Sequence, residues 1–141
     1  MIDVSSKPSV IREAIAAGEI QIAPQTLERI RENKIPKGQV LEVARIAAIM
    51  AAKDTPRLIP LCHPITINTV KVDFALQEQP SLVQIQVYVK GIDRTGVEME
   101  ALTATAAAAL TIYDMCKMLD KEMVISQIRL LSKTKGEPHA D

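Results

Sequence analysis

Residues 69–91, "TVKVDFALQEQPSLVQIQVYVKG", carry the clearest structural pattern in the chain. Val70, Val72 and Phe74 alternate with Lys71 and Asp73, and Val83, Ile85, Val87 and Val89 alternate with Gln84, Gln86 and Tyr88. A period of two places all the apolar side chains of a segment on one face, the pattern of a strand that buries one side. The linking "QEQPS" is too short for a crossover, so the two strands return on each other as an antiparallel hairpin.

"GIDRTG" ends the second strand and a long helix follows over about 97–119, rich in alanine at "ALTATAAAAL". "MVISQIRLLS" then reads as a last strand. Upstream, "QVLEVARIAAIMAAK" has helical spacing with Val40, Val43, Ala44, Ala47 and Met50 inward. A shorter helix, "PQTLERIREN", opens on Pro24, which a first turn tolerates, and sets Leu27 and Ile30 on one side. From Ser9 to Ile22 "GEIQI" alternates like a strand, although Val10, Ile11, Ala14 and Ile15 also fit a helical face; strand is the assignment adopted. "DTPRLIPLCHPI" holds three prolines in twelve residues and reads as a shaped loop. Strands and helices in this order imply an α+β fold, an antiparallel sheet with helices packed on one face. Residues 1–133 form one domain, and 134–141 read as a polar, flexible tail.

Composition excludes several functions. The chain has 141 residues, room for one core and one site. Its 17 basic and 17 acidic side chains leave a formal net charge of +0, so no global field draws a polyanion. Trp is absent, and Phe74, Tyr88 and Tyr113 offer few platforms for stacking bases. Nucleic acid is therefore not expected as a partner. No apolar run is long enough to span a membrane, and the first residues lack the pattern of a secretory leader, so a cytoplasmic location is expected. Cys62 and Cys116 are too few for a disulfide framework and read as reduced thiols.

Four motifs carry polar chemistry. In "ALTIYDMCKML" Asp114 and Lys117 sit at i and i+3, neighbours on a helix. An exposed ion pair accounts for them, but so does a partly desolvated acid/base pair, because Ile112, Tyr113, Met115, Cys116, Met118 and Leu119 surround them. In "LIPLCHPI" prolines bracket Cys62 and His63, which restricts the imidazole. His63 is either a proton carrier or a loop hydrogen-bonder, and the ligand count is poor for a metal, with His139 in the tail. In "IPKGQV" Lys37 and Gly38 precede a helix start, a setting for an anion or for plain turn geometry. In "RTGVEMEAL" Glu98 and Glu100 suit a helix N-terminus and also offer acceptors to a ligand.

Taken together, "MIDVSSK", "PKGQVLEVARIAAIMAAK", "LIPLCHP", "TGVEMEALTA" and "ALTIYDMCK" resemble the molybdenum-cofactor biosynthesis protein C family, the cyclic pyranopterin monophosphate synthases. The resemblance runs in order to about Lys133. It implies a ferredoxin-like α+β subunit in a homohexamer, a trimer of dimers. It also implies conversion of 3',8-cyclo-7,8-dihydro-GTP to cyclic pyranopterin monophosphate with release of pyrophosphate, a lyase reaction in molybdenum cofactor biosynthesis. By the same resemblance Asp114, Lys117 and Lys37 are the catalytic residues. Leu61, Cys62 and His63, with Glu98, Met99 and Glu100, are the substrate contacts. The upstream radical enzyme, which makes the unstable substrate, is a candidate for direct hand-over.

The chemistry so implied moves protons and transfers no electrons, so acid/base groups suffice and no cofactor or metal is expected. A continuous helix would hold Met99 and Asp114 about 22 Å apart at about 1.5 Å per residue. One nucleotide-sized ligand does not reach both, so the site is expected to lie across a subunit interface. The competing reading is a ferredoxin-like regulatory domain that binds a small molecule and uses the charged pair as an oligomer contact.

Overall fold

A computed structural model describes residues 1–138 of the chain. The elements run β1 (Val10–Gln21), α1 (Pro24–Arg31), α2 (Val40–Leu58), β2 (Ile67–Glu78), β3 (Ser81–Asp93), α3 (Glu98–Cys116) and β4 (Val124–Pro138). The hairpin forms as its alternation requires: Val72 lies opposite Val87, Phe74 opposite Ile85, and Glu78 opposite Ser81 at the turn. Val72, Val83, Ile85, Val87 and Val89 are buried on the helix-covered face. β1 pairs with β3 and with β4, both antiparallel, giving the sheet order β2-β3-β1-β4. The strand assignment for Ser9 to Ile22 therefore holds. Three helices cover one face; with α1 and α2 together forming the first helical connection and α3 the second, the β-α-β-β-α-β order is ferredoxin-like.

Alanine sets the distance between the layers. α2 buries Ala44, Ala48 and Ala52, one residue per turn, and α3 buries Ala101, Ala104, Ala108 and Ala109. Side chains this small let the two helices lie close together over the sheet. At Gly18 a Cβ would come within 2.9 Å of the Thr105 methyl of α3, so β1 also depends on a missing side chain there.

Several sequence expectations need correction. Val40 and Ala44 are inward on α2 and Ala47 is half-buried, but Val43 and Met50 are 42% and 58% exposed. The Ala44–Ala48–Ala52 row wins the inward face because only small residues fit against α3. α2 also runs to Leu58 through Pro56, into the stretch read as loop. Pro56 lies in the final turn, where the missing N–H interrupts little of the helix. α3 spans Glu98–Cys116, ending short of Leu119. Finally, β4 continues to Pro138, so residues 134–138 are paired strand: Thr134 faces Glu13 and Lys135 faces Arg12. Backbone ladder bonds need no apolar side chains, which is why a polar segment can extend an edge strand. His139 lies outside the described residues.

Candidate active site

Two groups of polar side chains stand at opposite ends of α3. At its C-terminal end Asp114 is held by two lysines. Lys117 Nζ lies 2.9 Å from Asp114 Oδ1, and Lys37 Nζ lies 3.2 Å from Oδ2 and 3.0 Å from the Asp114 main-chain oxygen. The last turn of α3 contains no basic residue of its own. Lys37 supplies one from the turn before α2, donating to a carbonyl that the helix leaves without an intrahelical donor.

This group is wet within one chain. The side chains of Asp114 and Lys117 are 58% and 57% exposed. Hydrogen bonds from Lys117 and then Lys37 hold the Asp114 carboxyl below its ordinary value, and the bond to Asp114 raises the Lys117 ammonium. Both directions are opposite to those of a dry acid/base pair, so the expected desolvation does not arise inside a single subunit. The reason is helical geometry. Ile112, Met115 and Cys116 are buried neighbours in sequence, whereas Asp114 shares its outward stripe with Leu110 and Met118, which are 61% and 51% exposed.

At the N-terminal end Glu100 turns inward from the first turn of α3 and is 1% exposed. Its Oε1 has no hydrogen-bond partner, and Cys62 Sγ donates weakly to Oε2 at 3.8 Å. Burial pushes the Glu100 carboxyl up; burial, then the nearby carboxylate of Glu100, pushes the Cys62 thiol up. The loop after α2 thus brings Cys62 against α3 across 38 residues of chain, with His63 half-buried beside it and Leu61 exposed. Glu98 is half-buried and Met99 is 36% exposed. α3 is continuous from Glu98 to Cys116, so Met99 and Asp114 stand about 22 Å apart in one chain. The structure accordingly joins Lys37, Asp114 and Lys117 into one group and Cys62 and Glu100 into another, and does not join the two.

Sequence reasoning missed a basic cleft beside the second group. Lys7, Arg12, Lys133 and Lys135 line a cavity of about 370 Å³ with Thr95, Gly96 and Glu98. Arg12 Nη2 donates to the Arg94 carbonyl at 3.2 Å, and Arg12 Nε is buried without a partner. These cations come from the N-terminal segment, β1 and β4, and only the β1–β4 register, Arg12 opposite Lys135, collects them. Among the described residues no group of three or more His, Cys, Asp or Glu is arranged to hold a metal ion. Cys62 and Cys116 are free thiols. No helix of the described residues is long and apolar enough to cross a membrane.

The chain is also similar in sequence to known proteins. The chain is 57% identical over 136 residues to the cyclic pyranopterin monophosphate synthase of Magnetococcus marinus, covering 96% of this chain and 83% of that protein. It is 55% identical to the enzyme of that name from Heliobacterium modesticaldum, covering 97% and 86%, and 54% identical to that from a Roseiflexus species, covering 96% and 86%. The profile of the MoaC family matches residues 1–136, and the chain belongs to that family.

Proposed function

We propose that this chain is a cyclic pyranopterin monophosphate synthase that converts 3',8-cyclo-7,8-dihydro-GTP to cyclic pyranopterin monophosphate and pyrophosphate by acid/base catalysis. The observation that carries the reading is Asp114 clamped between Lys37 and Lys117, side chains separated by 77 residues in one case and three in the other. In the free chain the carboxylate is ionised and Lys117 is protonated, an acid and an acceptor in contact. Excluding water from such a pair brings their proton affinities together, the condition for passing protons to and from a substrate.

Leu61, Cys62, His63, Glu98, Met99 and Glu100 form the end that receives the purine-derived ring. Glu100 offers a buried oxygen with no partner, which fits an N–H donor from a ligand. The cleft of Lys7, Arg12, Lys133 and Lys135 adjoins Glu98 and suits the phosphates of the same ligand.

The site is shared between subunits of a homohexamer. Two observations support this: the two polar ends are about 22 Å apart along α3, and the wet pair is flanked by exposed Leu110, Met118 and Leu119. A second copy covering those side chains would dry Asp114 and Lys117 while bringing its own Glu100 end near. The assembly acts in the cytoplasm and takes its unstable substrate from the upstream radical enzyme.

The test is incubation of the purified protein with the cyclised GTP derivative, following pyrophosphate and the tricyclic pterin. Formation of both is expected. Saturable binding with neither product would assign the chain to a regulatory class instead.

A further inference from the structure

Lys37 is presented by a tight turn whose two flanks are fixed in the core. The Gly38 N–H donates to the Ile35 carbonyl at 3.0 Å, leaving Pro36 and Lys37 at the tip. Ile35 is 4% exposed and Val40, the first residue of α2, is 3% exposed. Between them Gly38 has φ +125, and it is the only glycine with positive φ among the described residues. A Cβ added at Gly38 would meet nothing within 4 Å. Space therefore does not require glycine here; the dihedral does. An L-residue is disfavoured at this φ, which also lies well beyond the left-handed region that asparagine and aspartate visit.

We propose that Gly38 is a positioning residue for the reaction, its backbone aiming the Lys37 ammonium at the Asp114 carboxylate and at the last-turn carbonyl of α3. With Ile35 and Val40 anchored, any other φ at residue 38 has to be absorbed by the exposed segment between them, and Lys37 lies in it. Lys37 then leaves a contact that spans only 3.0 and 3.2 Å. The inference rests on the reading that Lys37, Asp114 and Lys117 carry the reaction.

The test compares Gly38→Ala with Lys37→Met in the full-length protein, measuring kcat, KM and the carboxyl titration of Asp114 by carbon NMR, assigned with Asp114→Asn. Gly38→Ala is expected to lower kcat by roughly 10- to 100-fold while KM stays within about two-fold. It should also move the Asp114 titration upward, toward that of Lys37→Met, a change that a merely structural glycine would not produce. A chain with D-alanine at position 38, made by joining a synthetic 1–61 segment to 62–141 at Cys62, accepts positive φ and should restore both readouts. Should Gly38→Ala fail to fold, the D-alanine chain decides alone: native values support the proposal, and a folded chain with low kcat overturns it. Native kcat and an unmoved Asp114 in Gly38→Ala, beside an inactive Lys37→Met, would also overturn it. An active Lys37→Met would instead remove the catalytic reading, and the Asp114 titration would still report whether Gly38 aims the lysine.

Discussion

Lys37 donates to both the carboxylate and the main-chain oxygen of Asp114, at 3.2 and 3.0 Å, so one side chain ties the turn before α2 to the end of α3. Asp114 is thereby ionised and located in the same contact. Asp114→Asn keeps the shape but loses the charge that both lysines address, and turnover should fall by about 10²- to 10⁴-fold. The stability of the isolated subunit should barely change, because within one chain the side chain is exposed. A variant with native turnover would take Asp114 out of the mechanism.

The same contact predicts a pH effect with a definite sign. Asp114 titrates below its ordinary value of 3.8 because Lys117 and Lys37 stabilise the carboxylate. Its contribution to folding is present above 3.8 and is lost as pH falls through the depressed folded value. Lys37→Ala should move that titration upward and leave Lys117 as the sole close cation. NMR titration of the two proteins checks this; coincident curves would show that the Lys37 contact is not kept in solution.

Glu100 carries the opposite sign. Burial raises its carboxyl above 4.5, so the folded protein holds that proton more tightly than the unfolded chain. The resulting stabilisation is complete below 4.5 and declines as pH rises through the raised folded value. Glu100→Gln cannot ionise, so the wild type should lose stability relative to it as pH rises above 4.5 toward the raised folded value. Urea denaturation of both proteins across that range measures the difference, and parallel curves would show that Glu100 is not desolvated.

If the site is shared between copies, as proposed, complementation is the decisive measurement of assembly. Glu100→Ala and Lys117→Ala should each be inactive alone. After subunit exchange in equal mixture, about a quarter of the sites would combine an intact end from each copy, with activity to match. Proven exchange without recovery would confine the site to one chain.

The basic cleft predicts a different kinetic signature. If the cleft holds phosphate in substrate and transition state alike, as proposed, Lys133→Ala should raise KM about tenfold or more with kcat little changed. The binding should also weaken with salt, as screening of exposed charges requires. A change confined to kcat would place Lys133 in the chemistry instead.

Period-two alternation in residues 69–91 and the alanine-rich run after Val97 were enough to specify the antiparallel hairpin, the long helix and the α+β class, because alternation and helical spacing are local properties of the chain. The separate polar motifs were equally legible, since each is a short string. What the residues could not settle was which motif meets which. Only the packed structure brings Lys37 to Asp114, Cys62 to Glu100, and Arg12 to the cations of β4, because those contacts depend on where helices cross and how strands register. Exposure was likewise decided in three dimensions: Asp114 is wet among apolar sequence neighbours because a helix turns adjacent residues about 100° apart. Val43 and Met50 face outward because alanines took the narrow inner face of α2.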